Sequence, residues 1–330
     1  MSETSPYLGV LYEHPEWFGP LFAEFDRRGI PYAKILATEL DFDPSDRQVP
    51  YTLVLNRMSP SAYNRGHGHA IFTSLSYLRY LDTMGVPVVN GLSAFSLELS
   101  KAAQIALLAR LGLPSPKTRV VNTAQQTPEA ARHLAFPILV KPNIGGSGAK
   151  IQRFDSPDAL AEAANARRLD LGIDHTALVQ EYHPPVGGFI VRVEVLDGKF
   201  LYAIKVFPNP EAGFNLCPAD ICRTDLAAPL PDLDLCPVDL PKTTLRVEGY
   251  TPPQEMIDSV ICIAAAAGIE VGGIEYLVSE RDGRAYFYDI NALSNFVTDA
   301  LHVVGFDPVP IFVDFLVRRV RMSDGVVRSS

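Results

Sequence analysis

The stretch Phe136-Pro-Ile-Leu-Val-Lys-Pro-Asn-Ile-Gly-Gly-Ser-Gly-Ala149 sets an apolar run, a lysine and a glycine-rich turn in direct succession. The run at 136–142 fits a buried strand, so Lys141 falls near its end and 145–148 forms the loop that follows. Glycine amides in such a loop can lie against phosphate oxygens, and an ammonium group beside them can offset phosphate charge. No Gly-Lys-Ser/Thr follows, so this is not a P-loop, and the spacing is not Gly-x-Gly-x-x-Gly.

Three further features flank that stretch in a fixed order. Upstream, Lys101 lies in a helix expected over 97–111 and stopped by Leu111-Gly-Leu-Pro114. Downstream, a strand ends in Val179-Gln-Glu-Tyr182. Near the C-terminus, Gly273-Ile-Glu-Tyr276 and Tyr288-Asp-Ile-Asn291 lie on two strands around the turn Glu280-Arg-Asp-Gly283. Asp289 and Asn291 are two apart on one strand and so share a face, which Glu275 on the neighbouring strand can join. Two carboxylates and an amide are the hard oxygen donors that magnesium prefers beside phosphate. The set therefore points to a nucleoside triphosphate site.

The rest of the chain supplies a frame. Residues 1–90 alternate strands (7–12, 32–36, 51–55, 86–90) with helices (17–25, 70–84), which predicts a largely parallel sheet covered on both faces. Strands are also expected at 118–121, 176–180, 189–196 and 199–206, the last two joined by Asp197-Gly198. A helix over 157–168 starts from Ser156, and another over 252–267 from a Thr251/Gln254 capping box. A last helix begins near Asp307-Pro308, and 207–250 reads as loop. The polar connection 56–69 carries Arg57, Arg65, His67 and His69, which can receive a carboxylate or stand as exposed loop residues.

Composition limits the function classes. The chain has 330 residues, 47% hydrophobic and 20% charged, with a net charge of −9. That is too apolar for a disordered chain and gives no broad basic surface for nucleic acid. The N-terminus lacks a secretory pattern and no apolar run approaches a membrane span, so a cytoplasmic protein is expected. Four cysteines are too few for a disulfide scaffold. Cys217 and Cys222 lack the second close pair that a zinc site needs.

In this order the motifs resemble those of the ATP-grasp proteins, the group that includes glutamate and peptide ligases, glutathione synthetase and D-alanine–D-alanine ligase. The resemblance implies an N-terminal α/β domain (1–95) and two α+β subdomains (96–180 and 181–330) that enclose ATP. It implies that Lys101 and Lys141 contact the phosphates and that Gly145, Gly146, Ser147 and Gly148 fold over them. Gln180, Glu181 and Tyr182 would hold adenine, and Glu275, Asp289 and Asn291 would hold magnesium or manganese. Arg192, Lys205 and Arg223 are then candidates to stabilise the transferring phosphoryl group. One departure is plain: many peptide ligases place an acid for the ribose two positions before the arginine matched by Arg192, and here that residue is Ile190.

The activity implied is ATP-dependent joining of a carboxylate to an amine through an acylphosphate, on an amino acid, peptide or small carboxylic acid. A nucleotide-binding module without ligase activity, or a kinase using the same site, remains the alternative. A homodimer is the default assembly.

Overall fold

The computed structural model describes residues 8–146, 148–208, 214 and 245–327. The first sheet is parallel, with strand order β2-β1-β3-β4: β1 (Leu8–Tyr12), β2 (Tyr32–Leu36), β3 (Leu53–Arg57) and β4 (Val88–Val89). Helix α1 (Gly19–Arg28) covers one face of it and α2 (Gly68–Thr83) the other, as the alternating pattern requires. After β4, Asn90 fastens this sheet to the C-terminal one. Its buried carboxamide accepts from the Glu270 N–H at 2.8 Å and donates to the carbonyls of Val271 (2.5 Å) and Ala292 (2.6 Å).

The expected helix over 97–111 is in fact two, α3 (Leu92–Glu98) and α4 (Lys101–Arg110), bent by 108°. Ser100 causes the break: its extended backbone leaves the helix and its hydroxyl caps α4 by accepting from the Ala103 N–H at 3.2 Å. Lys101 therefore stands at the first position of a helix rather than inside one.

A second, four-stranded antiparallel sheet has the order β5-β8-β6-β7. It comprises β5 (Thr118–Val121), β6 (Ile138–Pro142), β7 (Gln152–Phe154) and β8 (Ala177–Glu181). Helices α5 (Thr127–Ala131) and α6 (Pro157–Asn165) cover it, and Ser156 caps α6 as expected. The short β7 was not expected.

The third sheet runs β11-β10-β9-β12-β13, all antiparallel. Its strands β9 (Ile190–Leu196) and β10 (Lys199–Phe207) form the Asp197-Gly198 hairpin, and β11 (Arg246–Tyr250) pairs with β10. The reading of 207–250 as loop is corrected at its end by β11; residues 209–213 and 215–244, with Cys217, Cys222 and Cys236, lie outside the described residues. Helix α7 (Gln254–Ala267) follows without the expected capping box: Pro253 occupies the N-cap, and Gln254 bonds forward to Asp258 at 2.8 Å. Strands β12 (Val271–Val278) and β13 (Ala285–Asn291) complete the sheet.

Helix α7 packs on one face of this sheet with α4, through Val191, Val193, Val260, Ile263 and Leu108. The chain ends in α8 (Ala300–Val304) and α9 (Pro308–Val327), and α9 returns to pack on α1. Among the described residues, no single helix is long and apolar enough to cross a membrane.

Candidate active site

The second and third sheets, with Trp17 and Ser59 to Ser61 from connections beside the first, line one cleft of about 580 Å³, within the size range of small-molecule sites. Its floor is the face of the third sheet opposite α7, which carries Ile190, Arg192, Glu275, Asp289 and Asn291. Glu275 and Asp289 are direct partners across β12 and β13, and Asn291 faces Gly273. The donor set expected from the hairpin is thus brought together. The Asn291 amide lies 3.4 Å from Asp289 Oδ2.

Each acid on this floor already has a donor. Lys101 Nζ donates to Asp289 Oδ1. Arg192 Nη1 donates to Glu275 Oε1 at 2.9 Å, its Nε donates to Glu194 at 2.6 Å, and the Tyr288 hydroxyl donates to Glu275 Oε2 at 2.9 Å. Burial, and then the Asp289 charge opposite, hold Glu275 above the usual carboxylate range. Burial acts on Asp289 in the same sense, but Lys101 and Lys141 outweigh it and hold that carboxyl low. Two acids in contact with opposite neighbours thus keep different proton affinities.

Lys101 reaches the floor because α4 is fixed at two points. Asn143, just after β6, caps the helix start: its side-chain oxygen accepts from the Ala102 N–H at 3.0 Å and the Ser100 hydroxyl at 3.2 Å. Gln104, one turn on, bonds both ways to the Ile290 backbone. Lys141 projects from β6 into the same space and is only 4% exposed. Burial, with Lys101 beside it, pushes its ammonium down to about 7.

Gly145, Gly146 and Gly148 line the cleft, while Ser147 lies outside the described residues. Gly146 passes so close to the turn at Pro60–Arg65 that a Cβ would sit 2.8 Å from Ser61 Cβ. Gln180, Glu181 and Tyr182 line the far end, where Gln180 donates to Thr118 Oγ1 (2.8 Å) and the Arg153 guanidinium lies 4.7 Å above the Tyr182 ring. The Glu181 carboxylate accepts from the Ala135 N–H at 2.8 Å. Ile190 and Leu277 give this part of the wall an apolar surface where the resemblance implies a ribose acid.

Lys205 is not brought to the cleft. It pairs with Val191 on the α7 face of the sheet, with its ammonium over the Phe189 ring (4.4 Å) and the Tyr250 ring (4.8 Å). Arg223 lies outside the described residues. The loop residues Arg65 and His67 are engaged by buried Glu13, and Arg65 also stacks on Trp17 at 4.5 Å. Sequence reasoning missed Gln104 and Asn143, whose partners lie in distant elements, and also Tyr288 and Glu194, although Glu194 stands only two residues from Arg192 on the same strand face. Gly273 did carry a signal: its missing Cβ makes room for Arg192.

Residues 99–214 match the model of the RimK-like ATP-grasp domain. A D-alanine–D-alanine ligase of Laribacter hongkongensis is 27% identical over 223 residues, covering 67% of this chain and 65% of that protein. The chain thus spans just under two thirds of that relative's length. A RimK domain ATP-grasp protein from Sphaerobacter thermophilus superposes with a TM-score of 0.64 at 18% identity, covering 94% of this chain and 98% of that one. The ATP-grasp ligase PsnB, complexed with a minimal precursor, gives 0.63 at 16% identity, with 94% and 99% covered. The chain's fold is the ATP-grasp fold, and over 99–214 its sequence resembles the RimK-like ATP-grasp domain.

Proposed function

We propose that this protein is an ATP-dependent carboxylate–amine ligase that works through an acylphosphate. The observation that carries the reading is the meeting of Lys101 and Lys141 with Glu275, Asp289 and Asn291 in one cleft. Ligases of this class among the similar proteins support it. The three sheets are taken as cores of domains at 1–95, 96–180 and 181–330, with ATP between the second and third.

Two carboxylates and an amide, adjacent and buried, suit a hard divalent cation held together with phosphate oxygens. The Asn291 amide adds an oxygen donor to the two carboxylates of Glu275 and Asp289. When bound, magnesium or manganese would offset charge on the transferring phosphoryl group.

The chain's own groups account for the rest. Lys101 and Lys141 bind the triphosphate, and release of Lys101 to phosphate frees an Asp289 oxygen. Arg192, held flat by Glu194 and Glu275, faces the cleft and can stabilise charge on the phosphoryl group and the acylphosphate. The 145–148 loop covers the phosphates and excludes water that would hydrolyse the intermediate. Gln180, Glu181 and Tyr182 hold the base, and ribose rests on Ile190 and Leu277. A cytoplasmic homodimer that binds no nucleic acid is part of the same reading and follows from composition and class alone.

The reading is tested by ADP and phosphate release from Mg-ATP against pooled amino acids, short peptides and small carboxylic acids, with mass spectrometry of each hit. A product of acid plus amine minus water supports it. ADP with a stable phosphoester would make the protein a kinase, and nucleotide binding without turnover would make it a binding module.

A further inference from the structure

Beyond the metal acids the cleft continues toward the N-terminal sheet, and Glu98 forms part of that wall. It is the last residue of α3, three residues before Lys101 and across the break at Ser100, and is 6% exposed. Glu98 Oε1 accepts from the Leu293 N–H at 2.9 Å. The other acids of the wall are each engaged by a cationic or histidine side chain: Glu275 by Arg192, Asp289 by Lys101, and Glu181 by His183 at 3.7 Å. Among the described residues no ion pair reaches Glu98.

The charged groups around it come from three elements. Arg57 on β3 donates to the Ser294 carbonyl, Lys101 on α4 is held by Asp289, and Asp289 on β13 adds a like charge. Burial outweighs the two cations and lifts the Glu98 carboxyl to about 7. A buried carboxyl left without a cation is unfavourable in a closed core and is tolerated where a ligand completes it. The lining of the same cleft also includes Trp17, Ser294 and Phe296, a mix of ring and hydroxyl surface.

A ligase of the kind proposed above needs a second pocket next to the phosphoryl site, for an amine that arrives as an ammonium ion. We propose that Glu98 receives the ammonium group of the acceptor amine, whose apolar part lies against Trp17 and Phe296. This rests on the ligase reading. The ammonium gives one proton to the Glu98 carboxylate, and its freed electron pair forms the C–N bond to the acyl carbon. The C–O bond to phosphate then breaks with its pair on phosphate, which takes up the second nitrogen proton. Glu98 returns its own proton to solvent.

The test compares two nucleophiles on the full chain with Mg-ATP and pooled free amino acids at neutral pH. Hydroxylamine is uncharged there and yields hydroxamates, whereas the amino acids attack from the ammonium state and yield dipeptides. In Glu98→Gln, which keeps the acceptor for the Leu293 N–H, the dipeptide-to-hydroxamate ratio falls at least tenfold and the KM for the amine rises. Glu98→Asp, which keeps the charge, recovers part of the ratio. An unchanged ratio in Glu98→Gln overturns the subsite, as does equal loss of both products in both variants with ADP affinity intact. Absence of amide and hydroxamate from the wild type across pools of amino acids, short peptides and small carboxylic acids overturns the ligase reading, and the subsite with it.

Discussion

The carboxamide of Gln104 pairs with the backbone of Ile290 as a neighbouring strand would: Nε2 donates to the carbonyl at 3.0 Å, and Oε1 accepts from the N–H at 3.1 Å. Ile290 lies between Asp289 and Asn291 on an edge strand, so this one side chain docks the helix carrying Lys101 onto the metal strand. Gln104→Leu leaves a buried donor and acceptor unpaired, at a cost of about 1–3 kcal/mol for each group left so. Thermal melting is expected to show that loss. ADP affinity should fall with it, because Lys101 loses its register.

Gly273 and Arg192 are linked by space alone. A Cβ at 273 would lie 2.4 Å from Arg192 Nη2, in the middle of the pair with Glu275. Gly273→Ala is expected to cost about 1–3 kcal/mol, the range for overpacking a filled site. Chemical denaturation checks this, and a variant as stable as the wild type would show that Arg192 is free to move.

The Lys141 ammonium has a folded-state pKa near 7, below the ordinary lysine range. The unfolded chain therefore binds more protons than the folded one above that value, and the penalty on stability fades as pH rises through it. Nucleotide binding runs the other way. Phosphate favours the charged lysine, so ADP binding takes up a proton, and affinity is expected to fall by up to about tenfold per pH unit above 7. Calorimetry in buffers of different ionisation enthalpy measures the uptake. Lys141→Met should lose the uptake and weaken ADP binding by roughly 10–100-fold, the value of a hydrogen bond to a charged group.

Asp289→Ala removes a metal donor and leaves Lys101 without its partner. Loss of an outer-shell partner alone costs a metal site about 10–100-fold, so loss of a donor should cost at least that. Manganese binding in the presence of ADP, followed by electron paramagnetic resonance, reports it directly. Binding as tight as in the wild type would remove Asp289 from the donor set.

Much of this site was legible because it lies on regular elements. Period-two alternation places Asp289 and Asn291 on one face, and the hairpin turn brings Glu275 opposite. Lys205 shows where that logic stops. A two-residue turn at Asp197-Gly198 in uniform register would set Lys205 opposite Ile190, on the cleft face. A bulge between Phe200 and Tyr202 shifts β10 by one residue, so Lys205 meets Val191 and its side chain passes to the other face. Nothing in the local sequence marks that bulge. The break at Ser100 was equally hidden, because the apolar pattern runs on through it and the capping partner, Asn143, is 43 residues away.

The central claim is that a substrate carboxylate attacks the terminal phosphate of ATP. It is tested most directly with the first active pool from the turnover screen, its acids labelled with ¹⁸O in the carboxylate. An acylphosphate route transfers one ¹⁸O from the acid to the released phosphate as the amide forms, so the phosphate mass rises by one label. Amide formation with unlabelled phosphate would contradict the account.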